Sequence, residues 1–147
     1  WERSNSLLLE TMKMAAKESI PLQLHVEGES DETYPDLAVM ADKAGLDRKK
    51  LVRHYAPARV DHSYTLGITP SVLAGSGSID QLMQTFEQSS NGFMLETDYM
   101  DDPKRPGAVL GPKTVPKRTK QLLAAGLDEE VLYHTHVDLP EQIYGSI

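Results

Sequence analysis

The sequence predicts an α/β fold in which helices alternate with the strands of a parallel sheet. Three observations carry this reading. Short runs of strand-forming residues are separated by segments with helical periodicity. Glycine, proline and asparagine fall at the borders between the two patterns. The chain has 147 residues, enough for one domain of ordinary size. On pattern alone, a doubly wound sheet and a slice of a β/α barrel are both open.

Residues 5–18 are good helix formers, with Leu8, Met12 and Ala15 spaced i, i+4, i+7 along one face. Ile20 and Pro21 lead into Leu22 to Val26, a strand ended by Gly28. A second helix opens near Ser30 or Asp31, carries Leu37, Met40, Ala41 and Ala44, and stops at Gly45. Leu51 to His54 reads as the second strand and Tyr64 to Ile68 as the third. Ser78-x-x-Gln81 has the form of a capping box, and Ile79, Leu82, Met83 and Phe86 make the clearest helical face of the chain. Asn91-Gly92 turns into a fourth strand over Gly92 to Asp98. A Pro- and Gly-rich loop runs from Asp101 to Lys113, and a helix from about Thr114 to Ala125 ends at Gly126. Two short helices close the chain, capped by Asp128 and Asp138, with Gly145 ending the second.

Composition narrows the chemistry. There is no cysteine, which excludes disulfides, thiolate metal sites, iron–sulfur clusters and Cys nucleophiles. No run approaches the ~18 apolar residues of a membrane span, so no membrane partner is expected, and a soluble cytoplasmic protein fits best. The first residue is Trp1 and not Met, from which a segment upstream is expected. The net charge is −7, yet Lys104, Arg105, Lys113, Lys117, Arg118 and Lys120 lie within 17 residues that contain no Asp or Glu. Such a stretch suits phosphate contacts on a polyanion, with Lys104, Arg105 and Lys113 the candidates nearest Asp98. It reads equally as a solvated basic face. No aromatic residues are interleaved in it for base stacking.

Three of the four strands end in or near a metal-competent side chain: His25, His54 and Asp98. Active sites of parallel α/β folds are built at the carboxyl ends of strands, and imidazole with carboxylate suits Zn²⁺, Mn²⁺ or related ions. Glu27, two residues beyond His25, would share its face as a ligand or as a partner to one. His62 is read as surface. His134-Thr135-His136 lacks the preceding apolar run of a central strand and reads as a connector between helices. Gly75-Ser76-Gly77-Ser78 opens a helix and could meet a phosphate, but it matches no nucleotide-binding loop and lacks the lysine.

The segments Gln23-Leu24-His25, Val52-Arg53-His54 and Leu95-Glu96-Thr97-Asp98 resemble the TatD-related family of metal-dependent hydrolases. Val115-Pro116-Lys117, Gly126 to Val131, Leu139-Pro140 and Tyr144-Gly145 are similar to that family's ending. The resemblance implies a (β/α)8 barrel of amidohydrolase type, of which this chain is a partial barrel of about strands 5 to 8 with their helices. Residues 1–147 are then a single C-terminal half-barrel unit, with the N-terminal half lying before Trp1. It implies that His25 and His54 bind metal and that Asp98 binds metal and orients the attacking water. Glu27 and Glu96 stand as their partners or as further ligands. The cofactor implied is one or two divalent ions, Zn, Mn or Mg. The family's first-strand His-x-His pair and fourth-strand acidic residue have no counterpart here.

Three functions follow as expectations. The first is hydrolysis of a phosphodiester, DNA included, by a metal-activated water. The second is cleavage of an amide or lactone in a small molecule. The third is a non-catalytic half-barrel that serves as a structural or oligomerising unit. Its exposed sheet edges would be closed by a second copy or by the missing N-terminal half.

Overall fold

A computed structural model describes residues 2–26, 30, 32–61, 65–88, 92–100, 104 and 110–146. In chain order these form α1 (Glu2–Glu18), β1 (Leu22–His25), α2 (Thr33–Ala44), a 3₁₀ turn (Arg48–Lys50), β2 (Leu51–Ala56), β3 (Thr69–Leu73), α3 (Ile79–Gln88), β4 (Met94–Glu96), α4 (Thr114–Ala124), α5 (Glu129–Tyr133), a π-helical turn (His134–Asp138) and α6 (Leu139–Tyr144). The four strands form one parallel sheet in the order β1-β2-β3-β4. Strand order follows chain order without the reversal that defines a doubly wound sheet, which is the arrangement of a β/α-barrel segment. Among the described residues no helix is long and apolar enough to cross a membrane.

The expected third strand, Tyr64 to Ile68, is not one. Tyr64 lies outside the described residues. Leu66 and Gly67 have φ of 51° and 88°, and a bond from Ile68 N–H to the Thr65 carbonyl closes a turn there. The strand starts at Thr69 and runs through Pro70, which has no N–H for the ladder. Pro70 stands opposite Arg53, where the β2–β3 register begins to shift, so the irregular stretch of the ladder accommodates the proline. The fourth strand is also shorter than expected, Met94–Glu96, and Asp98 follows it in left-handed conformation.

The helix ends obey simple capping chemistry. Gly45 at φ 71° closes α2, and the next residue, Leu46, donates its N–H to Ala41 and buries its side chain. Asp128 accepts the Glu130 N–H at the start of α5, as expected. Asp138 caps nothing. It sits in helical conformation inside a path that runs from Glu129 to Tyr144, its two α-helical parts joined by the π turn. His134 and His136 are therefore part of a helix and not of a connector. Ser78 donates its hydroxyl to the Gly75 carbonyl.

Alternation along the strands divides the side chains between two faces. Leu51 packs outward with Met12, Ala15, Leu37 and Ala41 of α1 and α2, with Leu22 and Leu24 against them. Farther along, Val72 and Ala56 pack with Phe93, Leu82, Leu122 and Leu132 beneath α3, α4 and α5. On the opposite, inner face, Val52 and Met94 are covered by Leu139 and Ile143 of α6. Above them the C-terminal ends of the inner face stay partly exposed at His54 and Glu96.

Two predictions follow from this packing. Phe93 is fully buried, with its ring 4.4 Å from that of Phe86. Phe93→Ala is expected to cost about 3–5 kcal/mol in urea unfolding. His136 shares a 2.9 Å hydrogen bond with the Thr119 hydroxyl, and burial holds its pKa below 6.5. The unfolded chain therefore takes up that proton first as pH falls. The contribution is complete above 6.5 and is lost below it, down to the folded pKa. Melting temperature is expected to drop between pH 7 and pH 5, with a shallower drop in His136→Gln.

Candidate functional site at the strand ends

Parallel pairing puts the carboxyl ends of all four strands on one side. His25 and His54 are Cα partners, so both side chains leave the sheet on the inner face with their ring centroids 5.5 Å apart. His54 stands between two carboxylates of the β4 segment. Its Nδ1 is 2.7 Å from Glu96 Oε1 and its Nε2 is 3.2 Å from Asp98 Oδ1. The Glu96 oxygen lies out of line with the ring N–H, and the buried Nδ1 makes no aligned hydrogen bond.

Glu96 ties the site to its scaffold. Oε1 accepts the Tyr55 backbone N–H at 2.9 Å, and Oε2 accepts the Ser71 hydroxyl. One carboxylate thus connects β2, β3 and β4. The backbone around it is unusual, with Tyr55 at φ 60° and Asp98 at φ 49°. Aspartate tolerates this region, whereas a tyrosine there is a genuine outlier. Residues at such angles concentrate at functional sites.

The donors suit a divalent ion in kind, since neutral imidazole and carboxylate are common ligands of Zn²⁺ and its neighbours. Two ligands about 2.1 Å from one ion lie roughly 3–3.5 Å apart. His54 and Asp98 meet that spacing at 3.2 Å. Among the described residues, no three His, Asp or Glu side chains converge closely enough to form a metal-binding group. This part of the chain brings two donors to ligand spacing, with His25 beside them.

The remaining candidates scatter. Glu27, His62 and Arg105 lie outside the described residues. Lys104 and Lys113 are exposed, and Lys113 precedes α4 without making a side-chain cap. Arg118, one of the six cations of the basic stretch, is buried. It donates from Nε to the Gly75 carbonyl at 2.7 Å and from Nη1 to Gln121 at 2.7 Å. It fastens the loop after β3 and is not part of a solvated face. His134 faces Asp138 at 3.4 Å and His136 faces Thr119, so neither joins His54. The Tyr144 hydroxyl of α6 donates to Gln23 on the inner face. Burial, and then the Glu96 charge, raise its pKa above 10.0 and keep it a donor.

Two members of the site were missed from sequence. Ser71 sits in the misplaced third strand. Tyr55 would face outward in a regular strand, and no local signal in the sequence marks the bulge that turns it. Glu96→Gln is expected to cost roughly 1–3 kcal/mol in urea unfolding, because an amide cannot accept from both Ser71 and Tyr55 as the carboxylate does.

Comparison with known proteins places the chain. The sequence profile of the family described as "TatD related DNase" matches residues 1–145. A protein of Methanocaldococcus jannaschii, itself described as uncharacterized, is 37% identical over 145 residues, covering 98% of this chain and 50% of the relative. The chain thus spans about half the length of that curated relative. No solved structure gives a significant match. With a parallel sheet in sequential order, histidine and carboxylate gathered at its strand ends, and these two matches, the chain belongs to the TatD-related DNase family.

Proposed function

We propose that this chain supplies the metal-holding and water-orienting side of a metal-dependent phosphodiesterase that cleaves DNA-like substrates. The observation that carries the reading is His54 set between Glu96 and Asp98 at adjacent strand ends, with His25 alongside. Family membership supports it, since TatD-related proteins are nucleases generally dependent on divalent metal ions. His25, His54 and Asp98 would hold the ion, Zn, Mn or Mg. A divalent ion bound there supplies a water of lowered pKa and polarises the scissile phosphorus centre.

The chain's own groups do the rest. His54 would offer the ion the nitrogen that faces Asp98, while Glu96 stands beside the other nitrogen. Asp98 keeps one carboxylate oxygen toward His54 and uses the other to align the attacking water and accept its proton. Lys104, Arg105 and Lys113 are read as phosphate contacts, which the basic stretch after Asp98 supports. Glu27 is read as a further partner of His25. A cytoplasmic location suits the cysteine-free sequence.

The chain is read as the C-terminal half of the barrel, strands 5 to 8. The sequential strand order and the match to half of a relative suit a half-barrel, and the likeness of Leu95 to Asp98 and of the last helices to the family's ending is what favours the C-terminal half. The outer strands β1 and β4 are then the edges where the rest of the barrel pairs.

Asp98→Asn in the whole protein is expected to lower metal-dependent cleavage of DNA by roughly 10²–10⁴-fold, with the thermal melt little changed. Full activity in that variant overturns the mechanism. Chelation is expected to abolish cleavage, and adding back one of the three ions to restore it.

A further inference from the structure

Residue 55 is out of place for a strand. Arg53 faces outward, with its guanidinium 5.0 Å from the centre of the Tyr34 ring of α2, and alternation would send residue 55 the same way. Instead the β2–β3 register shifts between Arg53 and Ala56, and Tyr55 takes φ 60°. A bulge of this kind re-aims a side chain. It places His54 and Tyr55, neighbours in sequence, on the same face. The Tyr55 ring lies 5.6 Å from that of His25 and 5.9 Å from that of His54, and 45% of the residue is exposed.

The backbone does not need this side chain. Its contribution at position 55 is the N–H given to Glu96. Glycine could make that bond at positive φ without strain, whereas tyrosine is held there against its preference. A tyrosine held at such an angle is a candidate for a role at the site, and its surroundings indicate which. It is a flat, half-exposed aromatic surface against the two histidines.

We propose that Tyr55 receives the planar base beside the scissile phosphodiester, so that this ring favours nucleic acid over phosphodiesters that carry no base. The inference rests on the hydrolase reading above and adds a substrate-selecting residue to it. Every base has a π face, so stacking on one aromatic ring tolerates any sequence and is strong enough to govern binding. Tyr99, 49% exposed beyond Asp98, lines a cleft with His54 and Glu96 and offers a second aromatic ring near the strand ends.

The test uses the whole protein and two substrates. One is a single-stranded oligonucleotide, and the other is the same strand with abasic residues flanking the cleaved bond. Wild type is expected to show a KM for the base-bearing strand lower by roughly tenfold or more. Tyr55→Gly, which removes the ring and suits the backbone, is expected to bring the ratio of the two KM values close to one. Tyr55→Phe is expected to preserve the ratio. Equal KM values in wild type, a ratio kept by Tyr55→Gly, or one lost in Tyr55→Phe overturns the proposal. Fluorescence anisotropy of the same two strands under chelator reads the base preference without turnover. A wild type that cleaves neither strand with any of the three ions therefore counts against the hydrolase reading. Equal affinity for the two strands counts against Tyr55.

Discussion

The Glu96 carboxylate is the interaction on which the site geometry depends. Parallel strands bring their ends to one side of a sheet, but pairing alone does not fix side chains there. Glu96 does so by accepting from the Ser71 hydroxyl on β3 and the Tyr55 N–H on β2 while standing beside the His54 ring. Both of its oxygens are used. Three strands are thereby held in one arrangement at the point where the ladder is least regular. The bulge in β2 and the carboxylate on β4 fit each other, since the left-handed residue turns its N–H toward the Glu96 oxygen.

Much of this was legible in the sequence, and the limits have physical causes. His25, His54 and Asp98 could be grouped because parallel register is a property of the backbone, and apolar runs place strand ends to within about two residues. The third strand was missed because Thr69-Pro70-Ser71 carries a proline that normally argues against an inner strand, while the turn at Leu66 and Gly67 follows residues with strand-like propensity. The place of Ser71 beside Glu96 was hidden with it. Tyr55 was hidden differently. A period-two pattern assigns it to the outer face, and only the three-dimensional ladder shows the shift in register.

The basic stretch shows why a charge count cannot be read as a surface. Six cations in succession suggest a binding face, yet Arg118 is 7% exposed and spends its guanidinium on Gly75 and Gln121. Helical periodicity turned that one residue inward, under the loop that follows β3. Arginine can serve in this way because its planar fork makes directed hydrogen bonds as well as carrying charge. The cations available to a substrate are accordingly fewer than the sequence suggests.

Placing α6 on the inner face has a consequence for how the chain reaches its native state. Val52 and Met94 are apolar and buried, and their cover comes from Leu139 and Ile143, which follow every strand in the chain. The bond between Tyr144 and Gln23 closes a loop of 121 residues. Local helix–helix contacts such as α1 with α2 can form early, but the inner face cannot be finished until the distant helix arrives. Contacts of such long sequence separation slow folding. Within these residues, strands that have already paired therefore wait for α6 to cover this apolar strip. Folding intermediates that expose such a strip are open to association with other chains.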